Sequence, residues 1–469
     1  MTEDKKYDLV IIGGGPGGYT AAVRASQLGM TVACVEKHSR LGGVCLNAGC
    51  IPSKALLDSS ELYVAASRRL ADYGVRAENV SFDVSVMMQR KHRIVEALTG
   101  QVRKLLEAGR VEIVTGVAEL VDAHHVRVSG VSGEIRNLNT NFILLATGSR
   151  PVSLPDGDFD GHHIVDSTGA LEFSEVPQHL GVIGGGFIGL ELGSVWQRLG
   201  SRVTVIEMLP QIASGLDGQI SRALKRSLDK QGMAFRLKTR VNRVEISANG
   251  VNVAVVSGAA EETLTFDKLL VAVGRKPQTH GIGLESVGIE RDGHDAVRIN
   301  SRFQTNIASI YAAGDIVAGP MLAHKASAEG VAAVENMAGM ASEVHYDTLP
   351  SVIYTNPEVA SVGLTEDQVK ERNIPYRAGT FPFTGNGRAL CAGDTEGLVK
   401  VIAHAKTDRI LGIHMIGHGA SEMIAEGVMA MEMGASSEDI ARTVHSHPTF
   451  SETLMAAAAS IQRQMSKKS

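Results

Sequence analysis

The stretch Tyr7-Asp8-Leu9-Val10-Ile11-Ile12-Gly13-Gly14-Gly15-Pro16-Gly17-Gly18 runs an apolar strand into a glycine turn, and the chain uses this design twice. The second copy reads Leu180-Gly181-Val182-Ile183 followed by Gly184-Gly185-Gly186-Phe187-Ile188-Gly189. Behind each turn lies a helix-like run, ending at Leu28-Gly29 in one copy and Leu199-Gly200 in the other. Each copy closes on a short strand that ends in an acid, Val32-Ala33-Cys34-Val35-Glu36 and Val203-Thr204-Val205-Ile206-Glu207. The landmarks keep an offset of 171 residues: Gly13 to Gly184, Gly18 to Gly189, Glu36 to Glu207.

A lone GxGxxG has little force. Here each copy has a strand before it, a helix after it and an acid eighteen residues past the last glycine, the context of a dinucleotide-binding unit. Gly13 and Gly184 suit the tight turn, Gly15 and Gly186 the approach of a pyrophosphate, and Gly18 and Gly189 close helix packing. The helix N-termini supply amide donors for phosphate, and Glu36 and Glu207 are placed to accept ribose hydroxyls. The chain therefore reads as a binder of two dinucleotides. Glu207 repels a 2′-phosphate, and Met208-Leu209-Pro210 offers no arginine to hold one, so the second site favours NAD over NADP.

Soon after Glu36 comes Gly42-Gly43-Val44-Cys45-Leu46-Asn47-Ala48-Gly49-Cys50-Ile51-Pro52-Ser53-Lys54, with Cys45 nine residues past that acid. In an ideal helix, residues five apart have Cα atoms roughly 8–9 Å apart, beyond the ~7 Å reach of a disulfide. A bridge between Cys45 and Cys50 must therefore cross a non-ideal turn, which the glycines and Pro52 permit. Pro52 places the helix start at about Cys50 or Ile51, and a Cys50 thiolate there meets the positive end of the helix dipole. The segment reads as a redox-active dithiol. Its closeness in sequence to the first dinucleotide site makes a flavin the natural electron partner there.

Composition agrees. A chain of 469 residues, with 44% hydrophobic and 21% charged side chains and a net charge of −5, holds about three ordinary globular domains. Nothing basic enough for nucleic acid stands out, and no apolar run nears the ~18 residues of a membrane span. The polar opening Met1-Thr2-Glu3-Asp4-Lys5-Lys6-Tyr7 reads as neither secretory nor transit signal. Only four cysteines in such a length point to a reducing compartment, read here as the cytoplasm. Cys34 reads as core, and Cys391 has no evident partner.

With the dithiol, both fingerprints and the C-terminal segment His445-Ser446-His447-Pro448-Thr449-Phe450-Ser451-Glu452 in view, the chain resembles the flavoprotein disulfide reductases. The likeness spans nearly its whole length and is strongest to the branch that oxidises dihydrolipoamide. Leu145-Ala146-Thr147-Gly148-Ser149-Arg150-Pro151 and Val271-Ala272-Val273-Gly274-Arg275-Lys276-Pro277 resemble the segments on which that family leaves its FAD and NAD domains. Thr305 to Asp315 resembles its second FAD motif, and Met321-Leu322-Ala323-His324 the stretch that follows.

The resemblance implies an α/β fold: two Rossmann-like domains and a C-terminal α+β dimerisation domain. FAD would take residues 1–150 and 278–347, NAD 151–277, and the dimer interface 348–469. It implies that Cys45 meets the substrate and Cys50 the flavin, with Lys54 beside the flavin and Glu191 paired to that lysine. His447 would be the base and Glu452 its orienting acid, serving the other subunit's disulfide; His445 is a structural neighbour. The FAD set would be Gly13, Gly15, Gly18, Glu36, Lys54, Gly116, Thr147, Gly148, Asp315 and Ala323. The NAD set would be Gly184, Gly186, Gly189, Glu207, Val241 and Gly274, and no metal is expected.

The implied reaction is oxidation of protein-bound dihydrolipoamide with NAD as acceptor. The implied partners are a second copy, lipoyl domains, and the acyltransferase or glycine-cleavage components of large complexes. Two alternatives stand beside it. One is another FAD and NAD(P)H disulfide reductase of the same family, although the closing residues Gln464 to Ser469 lack the vicinal cysteines of a mercuric reductase. The other is a mainly structural subunit. The methionines at 423, 429, 431 and 433 read as helix core or dimer surface.

Overall fold

The first glycine turn sits on a sheet whose strands are covered on both sides, which is why they read as unbroken apolar runs. The computed structural model describes residues 5–154, 158–248 and 250–466; the first four and last three residues of the chain, on which the readings of its two ends partly rest, lie outside these. Strand Lys6–Ile12 lies between Val32–Glu36 and Ile135–Leu145, parallel to both, and Glu112–Thr115 extends the edge beyond Val32–Glu36. Antiparallel strands Val117–Leu120 and His125–Ser129 continue the other side, and Ile310–Ala312 returns to pair with Ile135–Leu145. Alternation divides the central strands. Val10, Ile12, Ala33 and Val35 enter one core, while Leu9, Ile11, Val32 and Cys34 enter the other. Cys34 is thus core, and burial pushes its thiol up to about 12.

The second turn stands on an all-parallel sheet ordered Ala234–Arg236, Arg202–Ile206, His179–Ile183, Lys268–Val271 and Ile164–Val165. The repeat extends to register: Ile11 opposes Cys34 in the first sheet, and Val182 opposes Val205, each 171 residues later, in the second. A three-stranded antiparallel sheet, Thr239–Ser247, Gly250–Ser257 and Ala260–Phe266, is attached to it. Strands Ser149–Pro151 and Arg275–Pro277 pair where the chain enters and leaves this part. The C-terminal part is a five-stranded antiparallel sheet, Ser351–Ile353, Glu358–Gly363, Ile410–Gly417, Leu398–His404 and Tyr376–Pro382.

Seven helices carry the argument. Helix α1 (Pro16–Gln27) opens on a proline, which costs it no internal hydrogen bond at that position. Helices α2 (Gly43–Ala48) and α3 (Cys50–Val64) share Gly49 between them. Helix α4 (Val84–Ala108) is capped by Asp83, whose side chain accepts from the Val86 amide at 3.1 Å. Its Lys91, 1% exposed, reaches the Leu171 carbonyl just past the short helix α5 (Ser167–Ala170) at 2.6 Å. Helices α6 (Phe187–Arg198) and α7 (Gly218–Lys230) pack on the second sheet. Farther on, the helix Ala420–Glu432 is mixed: Met423 is buried and Met429 exposed, with Met433 exposed just past its end. Among the described residues no helix is long and apolar enough to cross a membrane.

The second large sheet and the third, the C-terminal five-stranded one, are joined by a buried knot that nothing local in the sequence announces. Asp217 caps α7, and the Lys400 ammonium lies 2.8 and 3.0 Å from its two oxygens and 2.6 Å from Glu366. Burial by itself raises the Glu366 carboxyl; hydrogen bonds from Lys400, Tyr376 and Lys370 outweigh it and hold the group at about 2. Because this pKa lies below the ordinary 4.5, the folded chain binds fewer protons here than the unfolded one. The stabilisation is complete above pH 4.5 and is lost as pH falls toward 2. A series of thermal unfolding midpoints across that range is expected to fall with pH, and Lys400→Met to flatten the slope. Lys400→Met also costs about 3–5 kcal/mol at neutral pH, because it leaves Asp217 buried without its cation.

Candidate active site

Both glycine turns are tight for the same steric reason. Gly13 and Gly184 have φ of +112° and +105°, and a Cβ on them would overlap the carbonyl oxygens of Ala146 and Ala272, respectively. A Cβ on Gly18 or Gly189 would overlap the carbonyl of Gly13 or Gly184, so helix and turn are in backbone contact. The middle glycines differ. Nothing lies within 4 Å of a Cβ on Gly186, whereas Gly15 is roofed by the Gly43 Cα at 3.7 Å. Each acid folds back on its own turn. Glu36 accepts from the Gly14 amide at 2.9 Å and the His38 amide at 3.1 Å; Glu207 accepts from Gly185 at 2.7 Å and Leu209 at 2.8 Å. These bonds orient both carboxylates at the mouths of the turns and leave them free lone pairs. An arginine does stand beside Glu207 on the neighbouring strand: the Glu207 amide donates to the Arg236 carbonyl at 2.8 Å, and the guanidinium faces Glu262 at 3.2 Å.

The dithiol segment is built against the first turn. The Gly42 amide donates to the Gly14 carbonyl at 2.8 Å. Cys45 lies in α2 and Cys50 is the first residue of α3, so the break at Gly49 lets their Cα atoms approach to 4.7 Å, and they form a disulfide. The bridge thus crosses a non-ideal turn, as the spacing requires and the glycines permit. A Cβ on Gly49 would stand 3.0 Å from the Val44 carbonyl. The N-cap is Gly49, one residue before the expected start, and Pro52 falls in the first turn, where the amides have no partners within the helix.

One helical turn past Cys50, the Lys54 ammonium meets Glu191 of α6 at 2.7 Å and lies 4.3 Å from the centre of the Tyr354 ring. Glu191 is 5% exposed, which rules out a surface acid, and its other oxygen accepts from the Tyr354 amide at 3.0 Å. Three distant parts of the chain thus converge on one carboxylate.

Thr147 donates to the Gln278 carbonyl at 2.7 Å, and the Gln278 amide donates to the Gly148 carbonyl at 2.9 Å. Asp315 accepts from Ser149 at 2.6 Å, and Arg275 donates to the Ser149 hydroxyl at 2.7 Å. Burial lowers the Arg275 guanidinium while Asp315 opposes the shift. Ala323 begins the helix Ala323–Met337, and its neighbour His324 donates from Nε2 to the Pro350 carbonyl at 2.8 Å. Gly116 donates to the Glu36 carbonyl at 3.0 Å. Gly274 has φ +126° with open space beside it. Val241 follows two residues after Thr239, whose amide donates to the Glu207 carbonyl at 3.0 Å.

His447 lies on an exposed loop, Nδ1 2.9 Å from Glu452, whose second oxygen accepts from the Thr449 amide at 2.8 Å. The Thr449 amide and the imidazole hold that carboxyl below its usual range. Within one chain no hydrogen bond or ion pair joins this loop to the disulfide among the described contacts. His445 instead turns inward to Glu426 at 2.7 Å, as a structural neighbour would. Sequence reasoning missed Ser149, Arg275, Tyr354 and Asn386, whose side chain donates to the Thr449 carbonyl at 2.9 Å. Their partners lie far away in the chain, and no local pattern marks them. Cys391 ends the short helix Gly387–Cys391 and is exposed and free. Among the described residues no group of three metal-ligating side chains is assembled.

Residues 7–330 match the model of the pyridine nucleotide-disulphide oxidoreductases, and residues 349–458 match the dimerisation domain of the same group. The chain is 48% identical over 453 residues to a mitochondrial dihydrolipoyl dehydrogenase of Pisum sativum, covering 96% of this chain and 90% of that protein. It is equally similar, 48% over 453 residues, to a leghemoglobin reductase of Glycine max, covering 96% and 87%. Among solved structures it resembles LpdA from Mycobacterium tuberculosis, with a TM-score of 0.90 and 26% identity over 97% of this chain and 99% of that one. With both models matched in order and relatives this close along almost its full length, the chain belongs to the pyridine nucleotide-disulphide oxidoreductase family.

Proposed function

We propose that this chain oxidises protein-bound dihydrolipoamide to lipoamide at the Cys45–Cys50 disulfide and reduces NAD+ to NADH, with FAD resident between the two. The observation that carries this reading is a disulfide opening α3, against the first glycine turn, with a half-buried lysine paired to a buried glutamate one turn along. The fit is steric as well as chemical. Gly13, Gly15 and Gly18 form a backbone cradle with Glu36 at its mouth, joined by Gly116, Thr147, Gly148, Asp315 and Ala323 along the FAD side. Gly184, Gly186, Gly189, Glu207, Val241 and Gly274 form the NAD side, open at Gly186 where the first cradle is covered. A covered cradle suits a resident dinucleotide, and an open one suits an exchanging dinucleotide. Residues 1–150 and 278–347 are assigned to FAD, 151–277 to NAD and 348–469 to the interface.

The chemistry of the chain's own residues follows. One substrate thiolate attacks the Cys45 sulfur, the Cys45–Cys50 bond breaks, and Cys50 leaves as a thiolate steadied by the α3 dipole. The second substrate thiol then displaces Cys45 from the mixed disulfide, completing lipoamide. His447, its ring oriented by Glu452, takes the proton of the attacking thiol, and the proton of the second thiol passes to the departing Cys45 sulfur. FAD, when bound, supplies two-electron carriage from the dithiol to NAD+. Because the His447 loop reaches no disulfide within its own chain, two copies are assigned to one working unit, in keeping with the matched dimerisation domain. The partners proposed are lipoyl domains of acyltransferase or glycine-cleavage assemblies. The free thiols Cys34 and Cys391 accord with a reducing compartment, taken as the cytoplasm.

Three measurements test this. Cys50→Ser is expected to abolish dihydrolipoamide-dependent NAD+ reduction, and with it any long-wavelength absorbance that develops on two-electron reduction; unchanged turnover would sink the mechanism. His447→Gln is expected to lower kcat by about 10²–10⁴-fold, the usual worth of a positioned acid–base group. Because like charges brought together cost several kcal/mol, kcat/KM with NADP is expected about a hundredfold or more below that with NAD. Glu207→Gln narrows that gap, and equal kinetics with the two nucleotides would refute the role given to Glu207.

A further inference from the structure

Helices α3 and α6 are bridged twice. At one end Lys54 of α3 meets Glu191 of α6 at 2.7 Å. Seven residues along each helix, the charges are exchanged: Glu61 of α3 meets Arg198 of α6 at 3.4 Å. Seven residues are nearly two turns, so each pair lies on the same helix face as the other. On α3 that face also carries Cys50, at i−4 from Lys54. The C-terminal part laces both rungs. The Tyr354 amide donates to Glu191 at 3.0 Å, and the Asn356 side chain donates to Glu61 at 2.6 Å. Gln231, just past α7, donates to the Asn356 carbonyl at 2.6 Å, and Arg69 also meets Glu61.

Arg198 is costly where it stands. It is 4% exposed, it reaches the Leu57 carbonyl and the Ser60 hydroxyl only at 3.4 and 3.5 Å, and among the described residues its Nη2 has no hydrogen-bond partner. Burial lowers its guanidinium, with Glu61 opposing the shift. A buried guanidinium with an unpaired nitrogen is a poor device for stability alone, since an apolar side chain of similar volume is often as stabilising. A charge there does something apolar packing cannot do: with an oppositely ordered pair two turns away, it permits one register of α3 against α6 and penalises a slide or rotation.

We propose that Glu61 and Arg198 are positioning residues that hold α3 in register on α6, fixing Cys50 and Lys54 relative to the two dinucleotide sites. The pair acts through Lys54–Glu191 and touches no substrate. For its kinetic readout this rests on the proposed dihydrolipoamide reaction; the thiol readout below does not. Disturbing the register leaves the binding surfaces in place and misplaces the sulfur, so kcat suffers and KM does not.

The holoenzyme is compared as wild type, Glu61→Gln, Arg198→Met and the double variant. Two quantities are read: kcat and KM for both substrates, and the Cys45–Cys50 disulfide–dithiol equilibrium in glutathione buffers, scored by alkylation and mass spectrometry. Each single change is expected to lower kcat about tenfold with either KM altered less than about twofold. Each is also expected to move the thiol equilibrium at least about threefold. The double variant is expected to fall no further than the worse single, as groups acting as a unit do. A lower melting temperature with kcat and the thiol equilibrium unchanged would make the pair merely structural and overturn the proposal, as would losses that multiply in the double variant. If Arg198→Met does not fold, Glu61→Gln, at a partly exposed position, decides alone on the same readouts. A wild-type protein inert toward dihydrolipoamide would defeat the proposed function, while the thiol equilibrium would still judge the register.

Discussion

A carboxylate shut away from water must find a cation and hydrogen-bond donors, and Glu191 finds them in two parts of the chain remote from its own. Lys54 comes from the helix that begins at the disulfide, and the Tyr354 amide from the first strands of the C-terminal part. Removing Lys54 leaves the buried Glu191 carboxylate without its cation, which costs several kcal/mol. The position of α3 on α6 is therefore under a strict electrostatic constraint as well as a packing one. Leu56 and Leu57 supply the packing, since they enter the core of the second sheet beside Trp196. Ile51 and Cys45 pack against the core of the first. One helix thus belongs to two cores, and its first residue carries the reactive sulfur.

The two dinucleotide turns show how the same local rule serves different ends. Both are tightened by a glycine that meets a carbonyl from the strand beside it, and both are braced by an acid that folds back on the turn. What differs is the covering. The first turn is hydrogen-bonded to Gly42 and overlaid by Gly43, so the dithiol loop and the cradle share a wall. The second has open space at Gly186. From nearly identical sequence, neighbouring structure lays a second loop against one turn and none against the middle glycine of the other.

The His447 loop shows the opposite arrangement, a site assembled and left facing outward. Glu452 orients the ring, and the buried Asn386 ties the loop's backbone to the third sheet's flank. Phe450 rests against His418 at 4.8 Å, and the Arg388 guanidinium lies 5.8 Å from its ring. This much ordering of an exposed imidazole is more than a solvent-facing loop requires, and it suits a base presented to another copy of the chain.

Much of this was legible before any coordinates. The strand–turn–helix units, their offset of 171 residues, the core role of Cys34 and the dithiol at a helix start all follow from period, glycine placement and proline, because those are local rules of backbone sterics and burial. Local rules also set their own limit. An ideal helix keeps Cys45 and Cys50 apart, and only the break at Gly49, visible in the folded backbone, brings their Cα atoms to 4.7 Å. Glu61 and Arg198 look like ordinary helix charges, and Lys400 like an ordinary strand lysine, until packing sets them against partners well over a hundred residues away. The sequence by itself determined which segments would be strands, turns and helices, and where reactive groups could stand. The tertiary structure decided which of those groups meet, because ion pairs and shared cores across the chain depend on distance in space, of which spacing along the sequence holds no record.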